Sequence, residues 1–574
     1  AIREEALGPM HPDTAMSLSN LAGYLRRTGA PADLAAARLL HERALAIREH
    51  ALGLMHPETA DSLNNLAVSL ELDDDPAVRS AARPLYERAL AIREQVGPKH
   101  PATAMSLKNL AIYLEETGDA ADLATARTLF ERAMAIREQV LGPTHPDTAT
   151  SLTDLAVYLE KTGDPADLAA ARPYYERALA CTEAALGPTH PDTASAIHNL
   201  ALYLKSTGDP ADLAAARPLY ERALAIREEA LGPSHTETAA SISSMASYLM
   251  CTGNPDDLAA VRPLYERALA IRKEALGPMH PDTATSFNNL AVYLQGTGNP
   301  ADFAAARPLY EHALASREQS LGPTHPETIR TLNNIAGYLQ GTGDPADFAA
   351  ARPLYERALA IREETLGLTH PDTATSLDNL AFYLEGTGDP ADSAAARSCY
   401  ERVLAIREQA LGPVHPDTAT SIINLADYLM ASHEPTDQVT ACSLYERVLP
   451  ILGDTLSLDV EKTLRIKQNF AMSLYQAGRA DDALPIIRDV VTGQHRLTGD
   501  TSLESASALM TLAVITDQTG DQVETEDALR RALAILTEQL EPDDPATQWV
   551  QRRLAELTAK PSVEGGGTYS VEDK

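Results

Sequence analysis

The chain is 574 residues long, carries a formal net charge of -33 and is only 5% aromatic. So acidic a chain offers no basic stripe to displace counterions from a phosphate backbone, which argues against nucleic acid as a partner and against an anionic membrane surface. No run of about 18 apolar residues is present, so no membrane span is expected.

Residues 1–10, AIREEALGPM, read as the back half of a helix. The chain therefore starts inside a repeat: either upstream residues are missing or the protein was cut. No secretory leader is visible. From His11 onward the sequence is periodic. A His-Pro-Asp/Glu-Thr opening recurs at His11, His56, His100, His145, His190, His235, His280, His325, His370 and His415, defining repeats 1 to 10. Eight of the nine intervals are 45 residues and one is 44. Such a period overrides the usual prior of several compact domains and predicts one elongated array.

Repeat 5 shows the unit clearly. Ile197, Leu200, Ala201 and Leu204 fall at i, i+3, i+4 and i+7, one apolar stripe on a helix. Ser206-Thr207-Gly208 interrupts it, and Leu219, Ala223, Ile226 and Ala230 form a second stripe. Neither helix of this hairpin can bury its stripe alone. In TGDPAD, Gly163 suits the left-handed position past the first helix. Asp164 caps the next helix, Pro165 opens it and Asp167 adds charge at its positive end. Pro84, Pro173, Pro218, Pro263, Pro308 and Pro353 then fall some eight residues into the second helix. An interior proline costs about 3 kcal/mol. The ADLAAA segment is therefore expected to be a short turn, kinked or offset from the helix that follows.

Ten repeats fill residues 11–457. Two degenerate repeats of 42 residues occupy 458–543, and a capping helix spans 544–560 with the lone Trp549 plugging the end of the core. The glycine-rich tail 561–574 is expected to be disordered. The four cysteines, Cys181, Cys251, Cys399 and Cys442, show neither pairing nor metal-ligand spacing, which points to a reducing, cytoplasmic compartment.

Asn-Leu-Ala in the first helix and Tyr-Glu-Arg-Ala-Leu in the second resemble the tetratricopeptide repeat. The phrases HPDTATSLNNLAVYL and PLYERALAIREEALGP resemble its kinesin-light-chain-type branch, from residue 1 to about 560. The resemblance implies an all-α, right-handed superhelical solenoid of antiparallel hairpins, with the first helices lining a concave groove that binds a protein or peptide. Three residues beyond the usual 42 imply an enlarged outer turn. Similar bacterial arrays form sensor arms of STAND-type signalling NTPases, and similar free-standing arrays serve as adaptors or cargo-binding scaffolds. Either reading fits, and neither requires catalysis.

The leading binding candidates form an asparagine ladder: Asn20, Asn65, Asn109, Asn199, Asn289, Asn334, Asn379, Asn424 and Asn469, broken by Asp154 and Ser244. An amide both donates and accepts, so a row of them can pair with an extended backbone of any sequence. The alternative is that each ties its helix to a neighbour. Specificity would come from positions that vary between repeats, among them Lys108, His198, Lys205, Met250 and Arg330, with His198–Cys251 as a candidate hot region. The recurring histidines do not suit metal binding. Successive helices lie about 8–10 Å apart, too far for one Zn²⁺ at about 2 Å from each nitrogen. They are expected to fix the loop before the first helix. Gly296-Thr-Gly298-Asn-Pro-Ala301 imitates a dinucleotide fingerprint but follows a helix and contains proline, so it reads as a turn. No cofactor, metal site or catalytic constellation is expected, and the tyrosines are expected to pack between helices.

Overall fold

A computed structural model describes residues 2–26, 31–73, 76–432, 434–452, 460–499, 501–541 and 543–559. The expected tail 561–574 and the boundary expected at residues 457–458 lie outside them. Among the described residues every regular element is helical and no strand occurs. The chain divides into two units, Ala1–His415 and Pro416–Lys574.

In the first unit shorter and longer helices alternate. Pro191–Ser206 packs on Pro210–Leu231, which packs in turn on Thr236–Cys251. The second unit continues the scheme with Pro416–Met430 on Pro435–Leu452, Val460–Gln476 on Ala480–Thr498, and Leu503–Thr519 on Gln522–Gln539; Pro545–Ala559 closes it. This is the all-α solenoid expected from the period. The core is distributed to match. Ala194, Ile197, Ala223 and Ile226 form one small cluster, completed by Leu179 from the preceding hairpin. Each fully buried aliphatic side chain contributes roughly 1.5–3 kcal/mol, and the clusters of repeats 5, 6, 8 and 9 each take a leucine from the preceding hairpin. The first stripe is buried as expected, but Ala230 is exposed, so the second stripe ends one turn early.

The repeated histidine is itself the helix cap. His190 sits in the extended region and its Nδ1 accepts from Asp192 N at 3.1 Å. His56, His100, His145, His235, His280, His325 and His370 do the same. The threonine three residues on donates to the carbonyl of the preceding loop glycine, as Thr193 does to Gly187 at 2.7 Å. Replacing His190 by Ala should cost about 1 kcal/mol of local stability, while His190→Asn should retain it, because Asn is a strong N-cap. Hydrogen exchange in Pro191–Ser206 measures both.

The expected separate turn before the second proline is absent from most second helices. Pro165–Leu186, Pro210–Leu231, Pro255–Leu276, Pro300–Ser320 and Pro345–Leu366 each run through their proline. Pro173 and the residue four before it, Ala169, both face solvent, so water can satisfy the freed carbonyl. The leading turn is also tied from outside: Arg127 pairs with Asp167 at 2.8 Å and Arg172 with Asp212 at 2.8 Å. Only repeat 2 breaks, into Pro76–Ser80 and Ala82–Val96. The enlarged outer turn is likewise corrected. The three extra residues lengthen the second helix by about a turn, to 22 residues against 19 and 18 in Ala480–Thr498 and Gln522–Gln539. Trp549 does not plug the end of the core. It is 36% exposed, and Val550, one residue on and fully buried, points inward instead.

A buried arginine joins hairpins. Arg227 on the second helix of repeat 5 donates to Ser241 Oγ at 2.7 Å and reaches back to Ser195 Oγ of its own first helix at 3.0 Å. Arg48, Arg137, Arg272 and Arg362 likewise donate to a serine and a first-turn carbonyl of the following first helix.

Candidate functional site

Several consecutive first helices also touch directly. Pro281–Gly296 meets Pro326–Gln340, which meets Pro371–Glu385. Their outward residues therefore share one wall in the first unit, and the asparagine ladder lies on it. The side-chain amides of Asn65, Asn109, Asn199, Asn289 and Asn379 are half-buried and make no hydrogen bond to protein; Asn20 makes none and is exposed. Asn334 differs, donating to Asn288 Oδ1 at 2.9 Å. In the second unit Asn424 is half-buried, and Asn469 donates to Asp427 at 3.0 Å. Tying between helices thus holds at Asn334 and Asn469, while six other amides remain available.

One break in the ladder is compensated. Asp154 takes an asparagine's place, and Lys108 of the preceding repeat pairs with it at 2.8 Å. The other variable positions also have partners within the chain. Lys205 donates to Ser247 Oγ at 2.9 Å, Met250 Sδ accepts from the Tyr265 hydroxyl at 3.6 Å, and Arg330 pairs with Glu327 one turn away. His198 packs edge-on against Tyr220 with ring centroids 5.9 Å apart. Burial, with Arg227 and Lys205 adding to it, lowers its pKa to about 4. The stretch His198–Cys251 is therefore knit into the array by these contacts. Among the described residues many tyrosines pack between helices, as Tyr175 does on Tyr203 at 5.3 Å, whereas Tyr24 is 60% exposed.

The wall changes character along its length. In repeats 2 to 4 it carries Glu71, Glu115, Glu116 and Glu160. Burial raises the carboxyls of Glu71, to about 7, and of Glu116. In repeats 7 to 9 it opens into a cavity of about 510 Å³ lined by the amides Gln295, Asn333, Asn334 and Asn379 and the tyrosines Tyr310 and Tyr355, with Val292, Gly296 and Gly337 between them. No charged side chain lines it. Gln295 and Gln340 accept from Tyr310 and Tyr355 at 2.7 and 3.2 Å, while Asn333 Oδ1 is buried without a partner. Gly337 makes the room. Other repeats place Leu202, Val292 or Phe382 at this position, the last 64% exposed; a Cβ on Gly337 would be in ordinary contact with the Tyr355 hydroxyl, at 3.5 Å.

Sequence reasoning did not single out Gly337, Asn333 or the buried arginines. The signal for Gly337 was present in the column it shares with Val292 and Phe382, where Gly23 of repeat 1 is the other glycine.

Paired helices repeated along the chain, with amide donors and acceptors spaced along the first helices, place the protein among the helical-repeat interaction scaffolds. Models of the tetratricopeptide repeat match residues 80–122, 120–167, 166–212 and 346–395, and a second set matches 14–58, 193–237, 238–282 and 283–327. Together these exceed half of the chain, and the protein belongs to the tetratricopeptide-repeat family. No curated protein matches it in sequence. Among solved structures it is similar to a Podosopora anserina protein assigned as a kinesin light chain with nearly identical TPR-like repeats, at 25% identity over 38% of this chain and 98% of that one, TM-score 0.32. It is also similar to BtubC (BKLC) from P. vanneervenii, at 17% identity over 46% and 92% of the two chains, TM-score 0.32. A monomeric IFIT1 mutant with Gppp-AAAA matches at 14% identity over 83% and 90%, TM-score 0.39. No helix among the described residues is long and apolar enough to cross a membrane.

Proposed function

We propose that the first unit captures an extended segment of a partner protein against its wall of first helices, and that the chain performs no chemistry of its own. The carrying observation is the set of unpartnered ladder amides among neighbours that are paired. Half-buried amides with no partner in the chain offer donors and acceptors to a bound backbone, and beside them the buried Asn333 Oδ1 has none at all, which favours a ligand that supplies one. Around Asn334 and Asn379 the uncharged cavity suits a neutral side chain of that segment, because charge would be desolvated there without a counter-charge. Four free cysteines support a reducing, cytoplasmic setting. The same groove would serve the recognition arm of a larger signalling protein, such as a STAND-type NTPase, or a free-standing adaptor. A phosphate-binding loop encoded upstream would separate the two.

The test uses peptides selected from a random display library on the wild-type chain. Changing Asn289, Asn334 and Asn379 together to Ala should weaken the selected peptides about tenfold or more, at roughly 0.5–1.5 kcal/mol per lost hydrogen bond, with helix content unchanged by circular dichroism. Loss of helix at unaltered affinity would show the amides to be structural.

A further inference from the structure

Two contacts in the first unit join parts of the array that lie far apart in sequence. His370, which caps the first helix of repeat 9, places Nε2 3.4 Å from the carbonyl oxygen of Glu116, 254 residues earlier. Its Nδ1 already accepts from Asp372 N at 3.1 Å. The neutral ring therefore carries its proton on Nε2 and donates it to Glu116. Pro371 packs on the same turn, so that a Cβ on Gly118 would lie 3.3 Å from its Cδ. One repeat further along, the pattern recurs: a Cβ on Gly163 would overlap the His415 ring. Gly118 and Gly163 have φ of 67° and 69°, the left-handed conformation that follows their first helices.

The two contacts share one offset. The turn closing the first helix of repeat 3 meets the His-Pro corner opening repeat 9, and the turn of repeat 4 meets the histidine opening repeat 10. We infer that these corners are a clasp: the first unit coils until residues six repeats apart touch, and His370 and His415 latch the coil onto the Gly118 and Gly163 turns. The glycines are required twice, for the backbone conformation and for the approach of the imidazole. The clasp fixes how far the wall of first helices can extend or compress, so it is the element a partner must release to change the spacing of the ladder.

Hydrogen exchange on the full chain tests this. In His370→Asn the shorter side chain keeps the helix cap but cannot reach Glu116. Amides of Thr117–Asp119 should then exchange about fivefold faster, the factor expected for one ordinary hydrogen bond, although the mutation lies some 250 residues away. Changes confined to Pro371–Glu385 would overturn the clasp. A second pair controls for local strain. Gly253 has φ 65° with nothing within 4 Å of a built Cβ. Gly163→Ala should loosen exchange at Thr117–Asp119 as well as locally, and Gly253→Ala only locally. Identical behaviour of the two variants would also overturn it.

Discussion

Arg317→Met should uncouple repeat 7 from repeat 8. Arg317 has no exposed surface, and it is the largest fully buried side chain of the array. Its guanidinium donates to the Glu327 carbonyl at 3.0 Å, to Glu327 Oε2 at 2.7 Å, to Thr285 Oγ1 at 3.0 Å, and to Thr331 Oγ1. It thus holds the first helix of its own repeat and that of the next. Burial lowers its pKa to about 10, against the pull of Glu327, so the group stays charged at neutral pH. Methionine fills similar volume and donates nothing. It removes four donated hydrogen bonds at roughly 0.5–1.5 kcal/mol each, although Thr285 and Thr331 keep their bonds to the carbonyls of Pro281 and Glu327. Glu327 is 38% exposed and can be resolvated, which limits its share. The net loss should be about 3 kcal/mol, within the range for breaking a buried ion pair. In a solenoid that loss falls on one interface. Urea denaturation followed by hydrogen exchange should show Pro326–Gln340 opening separately from Pro191–Ser206. An unchanged, single transition would show that the network contributes no coupling.

The buried arginine also marks where the sequence stopped being legible. The period, the hairpin, the turn glycines and the Asp caps were all readable, since each depends on local chemistry that repeats ten times. Ile197, Leu200, Ala201 and Leu204 are buried as their spacing requires. Arg317 reads from spacing alone as a solvated residue of an acidic helix, because its partners, Glu327 and Thr331, belong to the next repeat. The prolines were misread for the opposite reason. Pro173 carries a real local penalty, but it faces solvent, and the turn before it is held by Arg127 of the previous hairpin. The ladder was legible as a row of amides. Which rungs were taken was not, since Asn334 pairs with Asn288, 46 residues away. In a repeat protein, local rules give the unit, and the interfaces between units decide the exceptions.

Glu71→Gln should stabilise the chain above pH 7 and leave it unchanged near pH 4.5. Glu71 ends the first helix of repeat 2, where burial raises its pKa from 4.5 to about 7 and nearby Glu116 adds to the rise; the Tyr86 hydroxyl and Arg26 oppose it. One of its carboxylate oxygens is buried without a partner. Below pH 4.5 the group is protonated in both folded and unfolded chains and carries no penalty. As pH rises the unfolded chain ionises first, so stability falls through the window from 4.5 to 7 and the full penalty holds above it. A shift of that size corresponds to about 3 kcal/mol at most, and the partial exposure of Glu71 reduces this to about 1–2 kcal/mol. Glutamine keeps the shape and an amide for Tyr86 while removing the charge. His198 acts in the opposite sense. Its pKa of about 4 lies below the unfolded value of 6.5, so its contribution is lost as pH falls through that interval. The wild-type chain should therefore be squeezed from both sides, and Glu71→Gln should relieve only the alkaline one. Thermal unfolding of wild type and Glu71→Gln at pH 4.5, 6 and 8 separates the two: a gain at pH 8 that vanishes at 4.5 supports the buried carboxylate, and a gain equal at every pH would mean that packing, not charge, governs the site.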